Sequence, residues 1–316
     1  MRLSWERQHV TERDVPISVA ALALQRSGRL GYAPLRQLLM QVRSDFRLEP
    51  LSVDQVLELA RVPRPEVNMS VSDAQRDIDK GLEMGIVPIP ISSERYPSTL
   101  RNIHDAPPIL YVRGQLSALE QMPGVAVVGT RKATPHGLLI ASRIAHFLSD
   151  EGWPVVSGLA MGIDAAAHDG AMKGKSVTVA VLAHGLEKAS PTMNRPLADR
   201  ILDAGGLWVS EHAVGVAAKP SNFVLRNRIQ VGLSCASVIV EGEERSGSKT
   251  QAEFCLQNKR VLFAVLPEPG SHVSTMSELP RMLVSQRGAV PIYSRADYPG
   301  MLGAVQKRAE SLRAEG

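Results

Sequence analysis

From Val125 onward, short apolar runs alternate with longer stretches whose apolar residues recur at helical spacing. The runs fall at 125–128, 154–157, 177–182, 207–210, 238–241 and 261–265. Helical patterns lie at about 135–151, after 162, at 195–204, at 222–233 and up to 258. A β-rich run without polar alternation is buried on both faces, and helices between such runs are the crossovers that parallel pairing requires. The pattern predicts an α/β fold, a doubly wound and mostly parallel sheet. With 316 residues the chain can bury such a sheet and one smaller module.

The smaller module lies upstream. Residues 1–75 read as helical, with apolar periodicity at 17–24, 34–42 and 52–60, a break at Arg26-Ser-Gly-Arg-Leu-Gly31, and Ser52 as a cap. Pro63-Arg-Pro-Glu-Val-Asn reads as a linker, and 72–84 as a polar-faced helix closed by Gly85. Ile86-Val-Pro-Ile-Pro-Ile91 is a strand whose prolines place it at a sheet edge, and a further short strand follows within 105–114. The expected organisation is a helical domain over 1–75, the sheet domain over 76–295, ending in a short helix at 282–289, and a charged helical tail over 296–316.

Composition excludes several classes. No apolar run reaches eighteen residues, and Met1-Arg-Leu-Ser-Trp-Glu-Arg has no apolar stretch behind it, so neither a membrane span nor a signal peptide is expected. Cys235 and Cys255 make no disulfide framework and lack zinc-ligand spacing; they fit a core in a cytoplasmic protein. Thirty-six Lys and Arg against 32 Asp and Glu leave a charge of +4, too small to mark a nucleic-acid binder unless it is concentrated locally.

Concentration is what the loops offer. Ligands of open parallel sheets bind outside the C-terminal ends of the strands. There the sequence places Gly129-Thr-Arg131, Ser157-Gly-Leu-Ala-Met-Gly162, Ala183-His-Gly185, Ser210-Glu211, Phe223-Val-Leu-Arg-Asn-Arg228 and Ser246-Gly-Ser-Lys249. Glycines admit a close ligand, hydroxyls bond phosphate oxygens, and Arg131, Arg226, Arg228 and Lys249 supply a basic crescent. Strand, turn and helix start at Val125-Ala-Val-Val-Gly-Thr-Arg131 read as an anion site. Neither G-x-G-x-x-G nor G-x-x-x-x-G-K-[ST] occurs, so the common dinucleotide and P-loop sites are excluded.

These blocks, preceded by Tyr96-Pro97 with Leu100, extended by Asp164-Ala-Ala-Ala-His168 and Thr178-Val-Ala-Val-Leu182, and followed by Arg287-Gly-Ala289, resemble the DNA-processing protein A (DprA/Smf) family over about 85–290. The resemblance implies an extended Rossmann-like sheet behind a small SAM-like helical domain. It also implies a homodimer that binds single-stranded DNA and delivers it to the RecA recombinase in natural transformation and recombination, without catalysis, metal or cofactor. The DNA-binding residues it implies are Gly129, Thr130, Arg131, Phe223, Arg226, Asn227, Arg228, Ser246, Gly247, Ser248 and Lys249. Lys175 joins them from a 173–177 loop that departs from the usual Gly-Gly-x-Thr form. Phe223 would stack under a base and the guanidiniums would neutralise phosphates. Ser157, Gly158, Asp164, His168 and Glu211 are assigned structural roles, with Asp164 capping its loop and bonding His168. The chain departs from the family at Ser190-Pro191, where Tyr-Pro is usual, and at His184. The winged-helix domain of many members is not expected after Gly288.

Two other readings compete. Ser246-Gly-Ser-Lys-Thr-Gln-Ala-Glu253 partly matches the Gly-Gly-x-Gly-Thr-x-x-Glu of Rossmann-type phosphoribohydrolases, but Lys249 stands in place of the last Gly and would crowd the phosphate cradle. A sensor that binds a nucleotide through the same loops is the other.

Overall fold

The computed structural model describes residues 13–45, 50–270 and 275–315. The N-terminal stretch read for a signal sequence and part of the Ser-rich loop after Gly270 lie outside these.

Four helices come first: α1 (Asp14–Arg26), α2 (Tyr32–Asp45), α3 (Val53–Leu59) and α4 (Arg64–Glu83). Ile17 and every residue from 18 to 24 are buried, because α1 is enclosed by α3, α4 and the strand β1 (Ile86–Pro90). Ser52 and Gln55 close a reciprocal capping box on α3. The stretch at 63–68, expected as a linker, is instead the start of the 20-residue α4: its prolines sit where a helix has no N–H to lose. Val67, Val71, Ala74 and Ile78 form the buried stripe of α4. Position 75, the expected domain boundary, falls inside this helix, and one continuous core joins the helices to the sheet.

The sheet has nine strands in the order β1-β2-β6-β5-β4-β3-β7-β8-β9. They are β1, β2 (Ile109–Gly114), β3 (Gly124–Val128), β4 (Val155–Ser157), β5 (Thr178–Val181), β6 (Leu207–Ser210), β7 (Ser234–Ile239), β8 (Val261–Val265) and β9 (Val290–Ile292). Strands β3 to β9 pair in parallel; β2 joins β6 antiparallel, and β1 with Pro88 and Pro90 lies at the edge. Beyond the six runs and the two upstream strands, β9 is added; its three residues include a proline and carry no pattern. Strand β7 begins four residues earlier than expected, since its first four residues are Ser234, Cys235, Ala236 and Ser237, all buried.

Helices α6 (Pro135–Asp150), α7 (Ile163–Ala171) and α13 (Tyr298–Ala314) cover one face, and α11 (Gly247–Gln257) and α12 (Glu278–Arg287) the other. The remaining helices are the single turn α5 (Ser98–Arg101), α8 (Arg195–Asp203), α9 (Pro220–Leu225) and α10 (Asn227–Gly232). The helix expected over 222–233 is interrupted at Arg226, between α9 and α10. The expected tail is a correction of another kind: α13 buries Tyr298, Met301, Val305, Ala309 and Leu312 against the sheet. No helix among the described residues is long and apolar enough to cross a membrane. Cys235 and Cys255 are free and buried, and burial pushes both thiols up to about 12.

Candidate functional site

The chain winds outward from β3 through β4 and β5 to β6, then returns to place β7 on the other flank of β3. The C-terminal ends of β3 and β7 are therefore the topological switch point, where an open sheet leaves a crevice for a ligand. Three loops meet there, at 129–134, 158–162 and 240–246.

Close backbone contact makes the meeting possible. Thr130 donates its N–H to the Glu241 carbonyl at 2.8 Å, and Ile163 N–H reaches the Thr130 carbonyl at 3.2 Å. Gly162 has φ +80°, and a Cβ there would overlap the carbonyls of Thr130 and Arg131. Only glycine satisfies both conditions.

The start of α6, expected as the anion site, is already occupied by the protein. Glu241, two residues past β7, accepts the Thr134 N–H at 2.9 Å, the Thr134 hydroxyl at 2.7 Å and the Met276 N–H at 3.2 Å. Thr134 in turn caps α6 by accepting from Gly137 N–H at 3.0 Å. A carboxylate at a helix N-terminus is favourable and leaves no vacancy for another anion. Glu241 was not singled out from the sequence; its one signal is an acid directly after a buried apolar strand.

Helix α11 is different. Ser246 sits at its N-cap position without a capping bond, its Oγ has no partner among the described residues, and Gly247 faces open space. Asn227 Nδ2 donates to the Gly247 carbonyl at 3.2 Å, and Asn227 Oδ1 accepts from Gln230 Nε2 at 3.0 Å, which ties this turn to α10. Ser248 is buried and Lys249 half-buried.

Of the three arginines in the expected crescent, one is exposed. Arg131 lies at the surface with its guanidinium 5.4 Å from the ring centre of the half-buried Phe223. Arg226 and Arg228 are 5 % and 4 % exposed, which corrects the expectation that they face phosphates. Arg226 donates to the carbonyls of Gly158, at 2.7 Å, and Val181, and lies 3.7 Å from Asp164. A Cβ on Gly158 would overlap that guanidinium. Arg228 binds both oxygens of Glu211 at 2.7 and 2.6 Å, the Tyr32 hydroxyl at 2.5 Å and the Asp105 carbonyl at 3.0 Å. Burial alone would raise the Glu211 carboxyl, but the hydrogen-bonded Arg228 holds it below the ordinary range. Lys175 is corrected by topology: it precedes β5, so it stands at the opposite edge of the sheet from Arg131, where its Nζ reaches the Asp150 carbonyl at 3.4 Å.

The supporting residues form the frame. Ser157 Oγ donates to the Val127 carbonyl at 2.7 Å, stitching β4 to β3. Asp164 accepts from the N–H groups of Gly158 and Ala160 at 3.1 and 3.4 Å. Burial pushes its carboxyl up against the opposing pull of Arg226 and these backbone donors. His168 does not pair with Asp164; its Nδ1 lies 2.7 Å from Thr178 Oγ1. The Thr178 proton goes to the Val155 carbonyl at 2.9 Å, so the His168 Nδ1 carries the proton and donates. Burial, followed by the charge of Arg226, lowers His168 to about 3, so the ring is neutral. His184, the residue that departs from the family form, is buried and donates from Nδ1 to the Gly185 carbonyl at 2.8 Å. Among the described residues no cluster of His, Cys, Asp and Glu has metal-holding geometry.

The exposed part of the site is thus Arg131 stacked on Phe223, bordered by apolar side chains and by the open end of α11. Val224 and Leu225, 42 % and 49 % exposed, extend from Phe223, and Met161 projects beside the 129–134 loop. Such an edge suits a ligand with alternating flat apolar and anionic parts.

The family described as DNA recombination-mediator protein A matches residues 88–300. The chain is similar to the DNA processing protein DprA of Bacillus subtilis, 37 % identical over 215 residues, which are 68 % of this chain and 71 % of that one. Matches to longer relatives, the Smf proteins, span 44 and 53 % of their length. Among solved structures, DprA of Streptococcus pneumoniae superimposes with a TM-score of 0.69 at 30 % identity, over 88 % of this chain and 95 % of that one. DNA processing protein A of Helicobacter pylori, which has a unique single-stranded DNA binding mode, superimposes with a TM-score of 0.59 at 26 % identity, over 67 and 95 %. With two thirds of its length matched and the switch-point loops inside the match, the chain belongs to the DNA recombination-mediator protein A family.

Proposed function

We propose that the chain binds single-stranded DNA at the switch-point edge of its sheet and acts as a non-enzymatic recombination mediator. It works as a homodimer in the cytoplasm and delivers the strand to the RecA recombinase. The observation that carries the reading is the exposed Arg131 guanidinium held over Phe223. Cations tracking the backbone beside aromatic faces that take the bases are how proteins hold single strands without regard to sequence. Arg226 and Arg228 serve this reading indirectly, by fixing the loops that present Arg131 and Phe223. Family membership, and the single-strand binding of the Helicobacter relative, support it.

The test is fluorescence anisotropy with labelled oligo-dT in the absence of nucleotide and metal. Phe223→Ala is expected to weaken binding by about 1–3 kcal/mol, the value of one stacked base. Arg131→Ala is expected to weaken it and to make the salt dependence shallower by about 0.7 in log–log slope, one phosphate contact on a single strand. If both variants bind like the parent, this edge is not the binding site.

A further inference from the structure

An open groove of about 780 Å³ starts at Arg131 and runs away from the sheet edge, between α6 and α7. Arg131 and Lys132 stand at its near end, and Lys173 and Arg200 at the far end. Its apolar lining is Leu138, Met161, Ala133, Ala165 and Ala166. The two helices that flank it touch: a Cβ on Gly170 would overlap the Ser142 carbonyl. Helix α7 has nine residues, so the groove along it is about 13 Å long at 1.5 Å per residue.

The charge is lopsided. The one carboxylate in the lining, Asp169, is neutralised by Arg200 at 2.7 Å. Lys132 and Lys173 are exposed, and no ion pair engages either among the described residues. Arg131 belongs both to the groove and to the pair with Phe223, so the two surfaces are continuous.

We propose that this groove is a second track for the same single strand, which leaves the Phe223 platform past Arg131 and continues between α6 and α7 to Lys173. The proposal rests on the reading of the Arg131–Phe223 edge as the single-strand site. Met161 and Leu138 give the bases an apolar surface, and the cations at the two ends take phosphates. Small Ala165 and Ala166 leave room for the chain between them. An acidic polypeptide would satisfy the cations but would not account for the continuity with an aromatic platform.

The experiment compares oligo-dT of about 3 and about 20 nucleotides, lengths on either side of the roughly 4–16 nucleotides of common single-strand sites. The double variant Lys132→Ala/Lys173→Ala changes two exposed side chains and leaves the fold intact. The long oligomer should lose affinity several-fold and its salt slope should become shallower by about 1.4, two phosphates at 0.7 each. The far-end variant Lys173→Glu alone should weaken the long oligomer and leave the short one unchanged. An unchanged long-oligomer slope overturns the proposal, and so does an equal loss on both lengths with Lys173→Glu. Competition of poly-glutamate with the long oligomer in the parent, abolished by Lys173→Glu, would reassign the groove to an acidic protein. A parent that binds neither length removes the edge reading itself, and the groove proposal with it.

Discussion

His168 illustrates how little a residue type says about its role. A carboxylate four positions away on one helix is a familiar acid–base geometry, yet burial leaves the ring neutral and bonded to Thr178. Its consequence is thermodynamic. The folded value, about 3, lies below the ordinary 6.5, so below 6.5 the unfolded chain binds the extra proton. The stabilisation is present above about pH 6.5 and is lost progressively as pH falls toward 3. Urea denaturation between pH 7 and 4 is expected to show stability falling with pH, and His168→Gln should flatten that slope by up to one proton. A parallel slope in the variant would show that His168 does not titrate in this range. Arg226 makes the same point for arginine: as one of four cations in a crescent it suggests a phosphate, but its side chain joins the ends of β4 and β5 to α7.

At the scale of elements, the strands with unbroken apolar runs were legible, because burial on both faces leaves no room for polar residues. Strands β3, β6 and β8 fall close to the runs that announced them. What escaped was burial that is not written as a run: the first four residues of β7, with two serines, the three-residue β9, and the docking of α13, whose helix was expected but not its burial. In α13 the buried residues follow a spacing of three and four between charged neighbours, a stripe that charge alone disguises as a surface helix. Met301→Ala, which empties a buried position under this helix, should cost about 2–5 kcal/mol of unfolding free energy. Lys307→Ala on the exposed side of the same helix should stay within about 0.5 kcal/mol. Chemical denaturation of the two variants checks both, and similar losses would mean the helix is not docked as described.

On the scale of the molecule, Tyr32 ties the helical layer to the site. It starts α2, almost two hundred residues from Arg228, and its hydroxyl accepts from Arg228 while donating to Glu211 at 3.1 Å. The Arg228 guanidinium also lies 5.6 Å from its ring centre. Removing that hydroxyl leaves Arg228 and Glu211 each short of a partner in a buried place. Tyr32→Phe is therefore expected to cost about 1–3 kcal/mol of stability. In a double-mutant cycle with Glu211→Gln the losses should be non-additive, the mark of a shared network. Additive losses would show that the helical layer and the sheet edge are energetically independent.

The sequence by itself determined the parallel sheet, the edge at which its loops gather and the family, because each follows from local pattern or from motifs in chain order. Tertiary structure alone decided which cations remain available. Arg226 and Arg228 are withdrawn by Gly158, Val181, Glu211 and Tyr32, partners spread from residue 32 to residue 211, and the α6 terminus is filled by Glu241. Lys175 is carried to the far edge by the direction of its strand. Whether a charge meets solvent depends on partners brought together by packing, and no spacing along the chain records them.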